Sequence, residues 1–128
     1  MSHITTVKTE LRDGEVLRKA LVKMGYQIRE GKTSFARPAP LPANGIEFMA
    51  FKDGKELGFT RPGSGGESYD ISADWGLIRE KRRNIVDGIA QVYAREKIIK
   101  MARCRGYSII TQRINQKGQI EMVLRKVA

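Results

Sequence analysis

The stretch DWGLIREKRRNIVDGIAQVYAREKIIKMARCRG, residues 74–106, decides the fold. Within it Ile85, Ile89, Val92 and Ile99 recur at helical spacing, with Val86, Ala90, Tyr93 and Ala102 beside them. The pattern predicts a long basic helix from about Asp74 to Gly106, and its apolar face needs cover. Gly88 interrupts the run at a cost of ~1 kcal/mol relative to Ala, marking a close packing contact or a break. Asn84, followed three residues later by Asp87, has the form of a fresh helix cap. One helix and two therefore both fit the pattern. Gly106 supplies the stop.

Outward from the helix, two strands close the chain, Tyr107–Ile114 and Gln119–Val127, joined by Asn115–Gly118. Ile120, Met122 and Leu124 alternate with Glu121 and Arg125, as in a half-buried strand. On the N-terminal side, residues 3–11 are rich in β-branched side chains and read as a strand. Asp13 then caps a helix from Gly14 to Met24 that turns Leu17, Ala20, Leu21 and Met24 to the core. Gly25 ends that helix, and Tyr26-Gln27-Ile28 opens a strand. Ile46–Phe51 and Leu57–Thr60 flank Asp53-Gly54, the favoured centre of a type I′ hairpin turn. Ser68–Ala73 returns to strand, and Asp74 caps or precedes the long helix. The two helix–Gly–Tyr units, at Gly25-Tyr26 and Gly106-Tyr107, echo one another weakly.

The expected fold is α+β: one domain over residues 1–128, with an antiparallel sheet and the two main helices packed on one face. Leu21, Ile89, Val92, Ile99, Ile120 and Leu124 are expected to share its core. Two connections carry no apolar period. Residues 30–45, with Pro38, Pro40 and Pro42, form a Pro-rich connector, and residues 61–67 a Gly-rich loop. The loop lacks the Gly-Lys-Ser/Thr ending of a phosphate cradle.

A chain of 128 residues can bury a sizeable core without disulfides or metal. Its single cysteine excludes an intramolecular disulfide and points to a reducing compartment. No apolar run approaches the ~18 residues of a membrane span. The opening residues resemble neither a signal nor a transit peptide, so a soluble, cytoplasmic protein is expected. Net charge is +10 and the pI about 10.1. That balance suits nucleic acid, an anionic membrane or an acidic protein as a partner.

Met1-Ser-His-Ile-Thr-Thr-Val-Lys-Thr9, the Leu17…Ala20-Leu21…Gly25 helix, Leu57-Gly58-Phe59 and Tyr69…Ala73-Asp74-Trp75 form a distinctive set. Val92-Tyr93-Ala94…Ala102…Gly106-Tyr107…Gly118-Gln119-Ile120 completes it. Together these resemble the hypothetical chloroplast open reading frame thirty-five family, a domain of unknown function in algal plastids, cyanobacteria and other bacteria. The resemblance implies a plastid stroma location if the protein is plastid-encoded. It implies no catalytic residues and no cofactor. The Pro-rich segment and the basic run Arg79–Arg83 depart from the family pattern.

Chemistry-bearing residues are sparse. His3 is the only histidine, so with one cysteine no zinc site of His/Cys type assembles within a chain, and no metal or other cofactor is expected. A Ser-His-Asp arrangement would have to use the same His3. Asp70 and Asp74 are spaced for a carboxylate pair, though turn and capping roles account for them. Cys104 sits between Arg103 and Arg105 and reads as a partly buried helix cysteine or a redox-sensitive thiol. Trp75 reads as a core anchor. The basic residues lead. Arg79, Lys81, Arg82 and Arg83 open the long helix, where cations oppose its dipole, and Lys97, Lys100 and Arg103 share a face near its end. These seven are the expected contacts of a non-enzymatic binding module for RNA or an acidic protein. The alternative is a small enzyme of unknown substrate.

Overall fold

A computed structural model of the chain describes residues 4–30, 46–61 and 67–126. His3, most of the Pro-rich connector and most of the Gly-rich loop lie outside them. The elements are β1 (Thr5–Lys8), α1 (Gly14–Lys23), β2 (Gln27–Glu30), β3 (Phe48–Lys52), β4 (Lys55–Thr60) and β5 (Asp70–Ala73). After a 3-10 turn at Trp75–Leu77 come α2 (Arg82–Cys104), β6 (Tyr107–Ile114) and β7 (Ile120–Lys126). The fold is α+β.

Five strands form an antiparallel sheet in the order β1-β5-β4-β3-β2. The β3–β4 turn centres on Asp53 and Gly54 at φ of 49° and 81°, the two positive values a type I′ turn needs. Register places Phe48 opposite Phe59, Phe59 opposite Ile71 and Ile71 opposite Val7. Ala50, Leu57 and Ala73 occupy the same face one pleat on, and both rows face the helices. Leu17 and Leu21 of α1 and Ile85 and Ile89 of α2 complete this core. Leu21 and Ile89 are thus joined as expected. Val92 and Ile99 are only half-buried, and the side chains of Ile120 and Leu124 lie outside the described set.

The long helix starts at Arg82, eight residues later than its pattern predicted. Trp75 and Ile78 pack on the sheet core, and the Trp75 indole N–H donates to the Thr5 carbonyl at 3.1 Å. These contacts hold the chain in a 3-10 turn and then in extended backbone at Ile78. From Arg82 the helix runs unbroken to Cys104, through Gly88, so the choice between one helix and two resolves as one.

The closing hairpin does not join the five-stranded sheet. β6 and β7 form a separate two-stranded ribbon with a bulge between Ile109 and Thr111. The α2 side chains that reach the sheet core come from its first three turns, Ile85 to Tyr93. The ribbon folds back along the rest of the helix. Gln91 Nε2 donates to the Gly118 carbonyl at 2.6 Å, and Arg95 Nε to Gln112 Oε1 at 2.5 Å.

Candidate functional site

The seven cations singled out by the sequence divide into two groups. Arg79 and Lys81 precede α2 and Arg82 and Arg83 open it, and all four are exposed. No side chain caps the helix and no acid occupies its first turn. Arg83 has one weak partner, Asp87, at 3.7 Å with both groups solvated. Cations here oppose the helix dipole, so their placement does not serve the helix itself.

Lys97 and Lys100 are differently placed. Their ammonium groups lie 3.0 and 2.8 Å from Asp13 Oδ2. Asp13 is the N-cap of α1, and its Oδ1 accepts from the Glu15 and Val16 amides. The Tyr93 hydroxyl accepts the Asp13 amide at 2.9 Å. Burial alone would raise the Asp13 pKa. Hydrogen bonds from Lys100, Lys97 and the Val16 amide outweigh it and hold the carboxyl well below its usual range. These two lysines therefore clamp the end of α2 to the start of α1. Arg103, one turn further on, stays exposed.

Charge is unevenly shared along the chain. Residues 79–126 hold thirteen lysines and arginines against four acids, nine of the ten net positive charges. α2 and the ribbon are consequently the basic side of the protein, whereas the five-stranded sheet is close to neutral.

A second cluster went unread in the sequence. The Glu47 carboxylate accepts from the Tyr69 hydroxyl, from Arg61 Nε and Nη2 at 3.0 and 2.8 Å, and from Arg18 Nη2 at 3.2 Å. Arg18 also binds Glu30 bidentately, at 2.6 and 2.9 Å. The guanidinium of Arg18 stacks over Phe48 at 4.3 Å and that of Arg61 over Tyr69 at 4.7 Å. Burial and the bond to Glu47 push the Tyr69 hydroxyl up to about 12. Burial opposes ionisation of Glu47, but Tyr69 and Arg61 prevail and lower its pKa. Every charge here has a partner, so the cluster ties α1, β2, β3 and β4 together. Its members come from segments far apart in the sequence, so no local spacing signals it.

Asp70 stands in β5 opposite Thr60 and Lys8, and Asp74 precedes the 3-10 turn, well before α2. Cys104 is exposed rather than partly buried, and it rims a groove of about 770 Å³ lined by residues of α1, β2 and α2. Trp75 is half-buried against the core, as an anchor should be. Among the described residues no group of three or more His, Cys, Asp or Glu could hold a metal ion. No helix among them is long and apolar enough to cross a membrane. A family model described as "Protein of unknown function (DUF1257)" matches residues 20–123. No curated protein and no solved structure matches the chain.

Proposed function

We propose, for a chain that belongs to the DUF1257 family of unknown function, a non-enzymatic module that binds the phosphate backbone of RNA through Arg79, Lys81, Arg82 and Arg83. Arg103 extends the contact toward the far end of α2, and Lys97 and Lys100 add charge while they hold Asp13. The observation that carries this reading is the exposed cationic run at a helix start, where cations oppose the dipole. The concentration of nine net charges in residues 79–126 supports it. The resemblance to the chloroplast open reading frame thirty-five family, with a cytoplasmic or stromal location, belongs to the same proposal.

Phosphate contacts position a strand without reading its sequence. No aromatic residue interleaves with the basic run of residues 79–83, so base stacking of the usual single-strand kind is not expected and affinity rests on ion release. With about five contacts, log K for single-stranded RNA falls with log salt at a slope near −3.5, at ~0.7 per contact. Fluorescence anisotropy over a salt series measures this. Arg82→Ala with Arg83→Ala flattens the slope by about 1.4 units, two contacts' worth, and leaves stability almost unchanged. Binding that survives high salt, or an unaltered slope in the double variant, overturns the proposal. Capture of an acidic protein with no affinity for RNA overturns it too.

A further inference from the structure

The ribbon of β6 and β7 is a two-stranded sheet with two outer edges, and such a ribbon is marginal alone. The two edges differ. The β6 edge is interrupted by the bulge between Ile109 and Thr111, and α2 packs mainly against that strand. The β7 edge is regular over seven residues and has no neighbour among the described residues. The Asn115 amide donates to the Gln119 carbonyl at 2.8 Å, which sets the alternation of the ladder. Counted from that pair, Glu121 and Val123 bond inward to β6. Ile120, Met122, Leu124 and Lys126 therefore turn their backbone N–H and C=O groups outward.

Charged residues on an edge strand ordinarily deter pairing. Here their order favours one partner. If β7 lies antiparallel to another β7 about a two-fold axis at Val123, Glu121 of each strand falls opposite Arg125 of the other. Val123, which is 53% exposed, then meets its own copy. In the same register Met122 falls opposite Leu124 and Ile120 opposite Lys126, so the outward backbone groups meet one another. Opposite charges across strands are attractive, and a two-fold axis makes each favourable pair occur twice. We propose that the chain dimerises by antiparallel pairing of β7 with β7 of a second copy, centred on Val123, giving a continuous four-stranded ribbon.

The register makes the test specific. Residues 121, 123 and 125 occupy non-hydrogen-bonded positions, where facing Cα atoms are ~4.5 Å apart, within reach of a disulfide. In a Cys104→Ser background, Val123→Cys should form an intermolecular disulfide under mild oxidation. Glu121→Cys should not, because two copies of residue 121 lie four positions apart across the axis. Glu121→Cys combined with Arg125→Cys should cross-link again. Arg125→Glu sets acids against one another twice and should weaken the dimer about tenfold or more in sedimentation equilibrium. Circular dichroism of each variant separates loss of pairing from loss of fold. A wild-type chain that stays monomeric at about 100 µM overturns the proposal. Cross-linking through Glu121→Cys alone, with none through Val123→Cys, does so as well.

Discussion

Gly14 sits where a methyl group has no room. A Cβ there would collide with the Tyr69 hydroxyl and stand 2.7 Å from Arg18 Nη1. Arg18 can give way at its flexible end, but Tyr69 is fully buried and held by Glu47. Alanine normally favours a helix over glycine by ~1 kcal/mol. At this position the clash prevails, and Gly14→Ala should destabilise by about 1–3 kcal/mol in urea unfolding. Asp13, its neighbour, sets a pH dependence. Its folded pKa lies below the unfolded value, so its contribution is present above about pH 4 and is lost as pH falls toward the folded value. Asp13→Asn keeps an oxygen for the Glu15 and Val16 amides but loses the attraction to Lys97 and Lys100. Unfolding free energies measured from about pH 7 down to about pH 2.5 should decline less steeply in the variant, with the two curves converging in acid.

Elements with a strong local period or a turn signal were legible in the sequence. Asp13, Gly25 and Leu17-Ala20-Leu21 placed α1 to within one residue. Asp53-Gly54 placed the β3–β4 hairpin and its turn type. What failed depended on contacts distant in sequence. Nothing local told Trp75 to reach Thr5, so the start of α2 was set too early. Nothing in the alternation of Ile120, Met122 and Leu124 told whether β7 joins the main sheet or pairs with β6 alone. The Arg18–Glu30–Glu47–Arg61–Tyr69 cluster draws on five separate segments, and no spacing announces it. Gly88 was the ambiguous case within α2. The helix passes through it unbroken, and a methyl group there would meet only Met24 Cε, at 3.7 Å, an ordinary contact. Gly88→Ala should therefore stabilise the protein by about 1 kcal/mol, seen as a raised Tm; a lowered Tm would mean that the α1–α2 contact is tighter than this.

For the molecule as a whole, the five-stranded sheet and the ribbon differ in how much cover they have. Phe48, Leu57, Phe59 and Ile71 are fully buried between sheet and helices. The ribbon leaves Ile114 62% exposed and rests on one helix. Native-state hydrogen exchange should follow this division. Amides of β3 and β4 should exchange only on global unfolding, and those of β6 and β7 through a smaller opening. If β7 pairs between copies, the Met122 and Leu124 amides gain protection as protein concentration rises, while those of β3 do not. Uniform protection across both sheets, independent of concentration, would contradict both expectations.

The order of strands also governs how quickly the chain can find its fold. β1 takes its place only beside β5, with Thr6 facing Ser72 and their hydroxyl oxygens 2.8 Å apart. The β3–β4 hairpin closes locally and can form early, whereas the β1 edge needs a loop of more than sixty residues to close. A ribosome therefore releases β1 first and the folded protein uses it late. Until residue 73 has emerged, β1 is a short β-branched segment without its neighbour, so the β1–β5 ladder is expected to close after the β3–β4 hairpin.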